Sequence, residues 1–80
     1  MNLEEWKANK SPSSSLVWLR LPYVSKSVED FPCKLWIKEK DDKQPRLIYY
    51  VIEDKEYLDL FLSNSSDKLR YAVESKPVNL

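Results

Sequence analysis

The chain contains no glycine and no histidine, and its only cysteine is Cys33. Each absence removes a class of chemistry. Phosphate-cradling loops and dinucleotide fingerprints need glycine where backbone closes on phosphate, so neither pattern exists here. Without histidine the chain lacks the usual proton shuttle near neutral pH and the commonest nitrogen ligand for zinc. A lone thiol forms no internal disulfide and completes no cysteine–histidine metal cluster. No cofactor and no metal is expected.

Long hydrophobic runs are missing too. No segment approaches the ~20 apolar residues that cross a bilayer as a helix. The opening "MNLEEWKANK" is acidic, broken by lysine, and unlike a secretory leader. These features predict a soluble cytoplasmic or otherwise intracellular protein with no membrane partner. Thirteen Lys and Arg balance thirteen Asp and Glu, for zero formal net charge. No global field therefore draws in nucleic acid, and a near-neutral surface tolerates self-association.

What is present suits folding. Across 80 residues the hydrophobic share is 42% and the charged share 32%, a composition that sustains one small core rather than a disordered tail. Residues 1–10 read as an N-terminal helical arm docking through Leu3 and Trp6. "SPSSS" at 11–15 reads as a linker, residues 16–76 as a single α+β domain, and 77–80 as a tail. The expected fold is a small antiparallel sheet of about three strands packed with one or two helices.

Within that domain, "LVWLRLPYV" alternates, with Val17, Leu19 and Leu21 on one side and Leu16, Trp18 and Arg20 on the other. That predicts a strand ending at or edged by Pro22. A brief helical turn is expected at 28–31. "CKLWIKEK" sets Cys33, Leu35 and Ile37 against Lys34, Trp36 and Lys38. The polar interval "DDKQP" then predicts a hairpin pairing 33–40 with 46–53, with Asp42 or Lys43 in a left-handed conformation in place of glycine.

The run "LIYYVI" at 47–52 is apolar on both faces, as in a central strand or one with a face used by a partner. Asp54 is the expected N-cap of a following helix in which Tyr57, Leu60 and Phe61 share a face flanked by Leu58 and Leu62. Residues 67–76 fit either helix or strand, with their Ala, Glu, Lys and Arg content leaning toward helix. Leu35, Ile37, Leu60 and Phe61, with members of 48–52, form the expected core.

Two acidic groups, Glu53/Asp54/Glu56 and Glu39/Asp41/Asp42, have residue types able to bind a cation or move a proton. A helix start and a solvated hairpin loop explain them better, and Cys33 on an apolar strand face reads as a buried thiol. No catalytic residue is assigned and the chain is read as a non-enzyme.

The candidate site is instead an interface of Trp18, Arg20, Lys34, Trp36, Lys38 and Tyr50. Trp, Tyr and Arg dominate the energetics of protein interfaces. They suit a protein-binding module that modulates or inhibits a larger protein by occupying its surface, or that self-associates, including as a dimer. Two alternatives stand beside this: single-stranded nucleic acid stacked on the aromatic and basic face, which zero net charge disfavours, and a structural or assembly subunit.

Overall fold

Apolar alternation in β1 (Cys33–Glu39) and β2 (Arg46–Ile52) drives the first pairing, an antiparallel ladder running unbroken from Cys33 opposite Ile52 to Glu39 opposite Arg46. The computed structural model describes residues 2–13, 15–24, 28–39 and 46–78. The expected hairpin loop at 41–45 lies outside them, as does a left-handed Asp42 or Lys43. Preceding the sheet is helix α1 (Leu3–Ala8), and after β2 come helix α2 (Lys55–Ser63) and strand β3 (Arg70–Ser75). The result is a small α+β fold with a three-stranded antiparallel sheet, ordered β2-β1-β3, and two helices.

The sheet reaches three strands by a different route from the one expected. Residues 16–21 do not form a strand. Only Leu19 pairs, bridging Tyr71 through two backbone bonds, Leu19 N–H to Tyr71 O and Tyr71 N–H to Leu19 O at 2.6 and 2.9 Å. The chain then turns, with the Tyr23 N–H donating to Arg20 O at 3.0 Å. That turn replaces the expected one at 28–31, where no helix forms.

The third strand comes from the C-terminal segment, against the lean toward helix. Its composition suits a helix, yet pairing with β1 sets Tyr71 opposite Ile37 and Val73 opposite Leu35, and that long-range gain outweighs local propensity.

Strand positions also differ from the sequence reading. Of the two readings of the two-sided run in β2, the central strand is not observed: β1 is central and β2 is an edge. Accordingly every residue of β1 from Cys33 to Ile37 is buried, on both faces.

One face of the sheet carries the core. Cys33, Leu35, Ile37, Ile52 and Tyr71 pack with Val24 and Val28 from the preceding loop and with Leu58 and Leu62 of α2. Burial of the Cys33 thiol pushes its pKa up to about 11. Leu19 and Leu21 close in from the side, matching the facing expected for them, whereas Val17 is exposed.

Asp54 caps α2, its carboxylate accepting the Tyr57 N–H at 2.7 Å. At the other end no glycine is needed. Side chains of Ser63 and Asn64 donate to Leu60 O, Ser65 donates to Phe61 O, and no described residue has positive φ. The inner face of α2 is Leu58 and Leu62, one helical turn apart, rather than Tyr57 and Leu60. Leu60 is 64% exposed and does not belong to the core.

This inversion predicts opposite outcomes for two leucines on one helix. Leu58→Ala should cost ~2–5 kcal/mol in denaturant melts, as expected of a fully buried leucine. Leu60→Ala should stay within ~0.5 kcal/mol of wild type. A larger loss at Leu60 than at Leu58 would contradict the observed helix phase.

Candidate binding surface

On the sheet face opposite the core, a lysine is buried beneath an aromatic lid. The lid is α1, whose six residues are too few to hold a helix alone. Asn2 starts it by accepting the Glu5 N–H at 2.8 Å, with Glu4 and Glu5 in the first turn. Its C-terminal carbonyls then find partners on the sheet. Tyr49 donates its hydroxyl to Lys7 O at 2.9 Å, and the Lys34 ammonium donates to Asn9 O at 2.8 Å. Lys7 adds an exposed ion pair to Glu53 at 3.2 Å, a minor contribution beside the buried contacts.

Lys34 is 0% exposed. Its ammonium lies over three rings, 4.9 Å from the centroid of Trp6, 5.1 Å from Tyr49 and 5.7 Å from Trp36. Removing such a charge from water costs several kcal/mol. Cation–ring contacts near ~0.5–2 kcal/mol each and one charge-assisted hydrogen bond near ~1.5–3 kcal/mol offset a comparable amount. Desolvation still leads: burial holds the Lys34 pKa below the ordinary lysine value of 10.5, with the negative charge of Glu74 opposing that shift. Trp36 stacks at 4.7 Å on Tyr49 and donates its indole N–H to Glu74 at 3.0 Å.

The predicted interface residues therefore separate. Lys34 and Trp36 do share a face, as alternation requires, but both are buried, Trp36 at 1% exposure, and neither is available to a partner. The arm supplies the cover that "LIYYVI" required on this side. Trp18 is half-buried with exposed Lys38 5.6 Å from its ring centroid, and Arg20 is exposed. Tyr50 is 41% exposed but lies on the other face, its ring 4.8 Å from that of Phe61. An open cleft of about 780 Å³ runs between the arm and β3, and the one charged residue lining it among the described residues, Glu74, already holds Trp36.

A second surface has no place among the sequence-predicted site residues apart from Tyr50. Exposed Tyr57 and Leu60 of α2, half-buried Phe61 and exposed Tyr50 of β2 lie together, whereas exposed Leu47 is on the opposite sheet face, paired with Lys38. The sequence does carry a signal for it, since Tyr57, Leu60 and Phe61 share a helical stripe. Periodicity alone does not say that this stripe faces outward. Beside it runs the outer edge of β2, which among the described residues pairs only with β1. Its seven residues carry no internal charge, proline or bulge, the devices that normally blunt an edge. The opposite edge, on β3, is met by Leu19.

Charges sit only at the ends of this strand, Arg46 at its start and Glu53 and Asp54 just after it. Among the described residues no three His, Cys, Asp or Glu side chains are grouped to hold a metal ion, and no helix is long and apolar enough to cross a membrane.

Trp6→Ala should undock the arm and return Lys34 to solvent. Its titration, followed by NMR of the side-chain methylene beside the ammonium, should move up toward 10.5. The sign for stability follows. Because the folded pKa is depressed, the unfolded state binds more protons in the interval below 10.5, so this group's contribution rises with pH there and is lost as pH falls through the folded pKa. The variant should lose that alkaline gain while the β1–β2 ladder persists. An unchanged Lys34 titration would show that Trp6 is not its cover.

No protein-family model matches this chain, and neither the curated proteins nor the solved structures contain a match to it.

Proposed function

We propose that this chain is a non-enzymatic protein-binding module that accepts an extended segment of a protein partner along the outer edge of β2. The observation that carries the reading is the unblunted edge strand lying against the Tyr50, Tyr57, Leu60 and Phe61 patch. Strand addition at such an edge takes its affinity from backbone hydrogen bonds and its selectivity from side-chain contacts on either face. Here the aromatic patch would bury alternate apolar side chains of the incoming strand.

The end charges specify the ligand further. An antiparallel strand meets Arg46 with its C-terminal end and Glu53 and Asp54 with its N-terminal end. The matching segment is basic at its start, apolar through its middle and acidic at its close. Nucleic acid fits this surface poorly: Lys34 and Trp36 are buried, leaving Trp18, Lys38 and Arg20 as the exposed or half-exposed remnant of the aromatic and basic face.

Fluorescence anisotropy with labelled strand peptides of about seven residues tests the proposal. A peptide with basic start and acidic end should bind at least about tenfold more tightly than its charge-reversed counterpart, and Tyr50→Lys should weaken it by a similar factor with the fold intact by circular dichroism. Binding of neither peptide, alongside steeply salt-dependent binding of a short single-stranded oligonucleotide, would overturn it in favour of nucleic acid.

A further inference from the structure

The required ligand is basic, then apolar, then acidic, and this chain contains such a segment: β2 with its flanking Glu53 and Asp54, "RLIYYVIED". The geometry points to a second copy of this chain as the occupant, docked by antiparallel pairing of two β2 strands about a two-fold axis at Tyr50. The inference rests on the edge of β2 being the docking site, and it names the partner there.

Four observations converge on this pairing. The first is register of charge. In an antiparallel ladder, directly opposed residues share a sheet face, so a two-fold axis must pass through one residue rather than between two. With Tyr50 on the axis, Arg46 of one copy stands opposite Asp54 of the other, on the same face of the joined sheet. The symmetry makes that attraction twice. A self-complementary patch of this kind is what an isologous interface needs.

The second is the bare edge itself. Among the described residues β2 pairs only with β1, and between its ends it carries no charge, proline or bulge. Pairing two copies joins two three-stranded sheets into one and makes β2 internal in both.

The third is the placement of α2, whose Phe61 ring touches Tyr50 on the edge strand. Across the two-fold, Tyr57, Leu60 and Phe61 of both copies lie on the same face of the joined sheet and converge over the seam. Leu60, exposed and without a role in the core, gains one there.

The fourth is charge balance. With zero net charge no long-range repulsion opposes association of identical copies. The asymmetry of the two edges agrees, since Leu19 pairs at Tyr71 on β3 and the described chain provides no equivalent for β2.

A charge-swap experiment on the full chain by sedimentation equilibrium tests the inference. Wild type should show a concentration-dependent monomer–dimer equilibrium. One variant carries Arg46→Glu. The other carries Asp54→Lys, which sets the introduced ammonium directly opposite Arg46 on the same sheet face. Each variant should weaken dimerisation by about tenfold or more, because each places like charges together at both ends of the seam. Both positions are exposed, and because Asp54→Lys also removes the α2 cap, circular dichroism checks that each variant keeps the fold.

The decisive arm mixes the two variants. At one end of the mixed dimer the introduced carboxylate at position 46 meets the introduced ammonium at position 54. At the other end the native Arg46 meets the native Asp54. Attraction thus returns at both ends, and dimers should reappear at close to wild-type concentration. Tyr50→Lys should prevent dimerisation in either background.

A wild type that stays monomeric to millimolar concentration while still binding the strand peptide would overturn the second-copy assignment and leave the edge-binding reading standing. Failure of both self-association and peptide binding would remove the two together. Dimers insensitive to either charge variant would place the seam elsewhere and also overturn it.

Discussion

A buried ammonium organises one side of this molecule. Lys34 sits on the central strand with its charge among Trp6, Trp36 and Tyr49, and the arm is held largely by what that charge and Tyr49 offer to its helix end. A lysine surrounded by apolar contacts without such partners would carry an uncompensated desolvation cost of several kcal/mol. The rings and the Asn9 carbonyl offset much of it, and the depressed pKa marks the remainder. Because this face is closed by the chain's own residues, the surface open to other molecules shifts to the opposite face and to the edge of β2.

That closure explains why the aromatic-rich composition does not translate directly into an aromatic binding face. Two of the three tryptophans, Trp6 and Trp36, are buried within it, leaving Trp18 half-buried beside Lys38. Among the exposed large apolar residues, Tyr50, Tyr57 and Leu60 are carried on a strand and a helix supported by the core beneath them. Rigid elements present such side chains with less ordering cost on binding than a loop does. An aromatic and leucine patch beside an open strand edge suits a strand better than a small molecule or a nucleotide base.

Much of the local structure is legible in the sequence because it depends on neighbours a few residues away. The antiparallel partnership of "CKLWIKE" and "RLIYYVI" and the Asp54 cap follow from alternation and turn chemistry. What depends on distant partners is not legible. Residues 70–75 have helix-compatible composition and become a strand because β1 offers them an edge. The phase of α2 turns on whether Tyr57 or Leu58 faces the sheet, and an apolar stripe at 57, 58, 60, 61 and 62 does not distinguish them. For the site, alternation correctly puts Lys34, Trp36 and Lys38 on one face but carries no information on which of them the arm covers.

One contrast separates the two edges among the described residues: that of β3 is met by Leu19, while β2 pairs with β1 alone. Residue-resolved amide hydrogen exchange on dilute, monomeric wild type measures this directly. The outward-pointing amides of β2 should exchange far faster than the Tyr71 amide, which is bonded to Leu19 O, and should become protected as concentration rises. Uniform protection along β2 in the dilute monomer, equal to that of Tyr71, would contradict it.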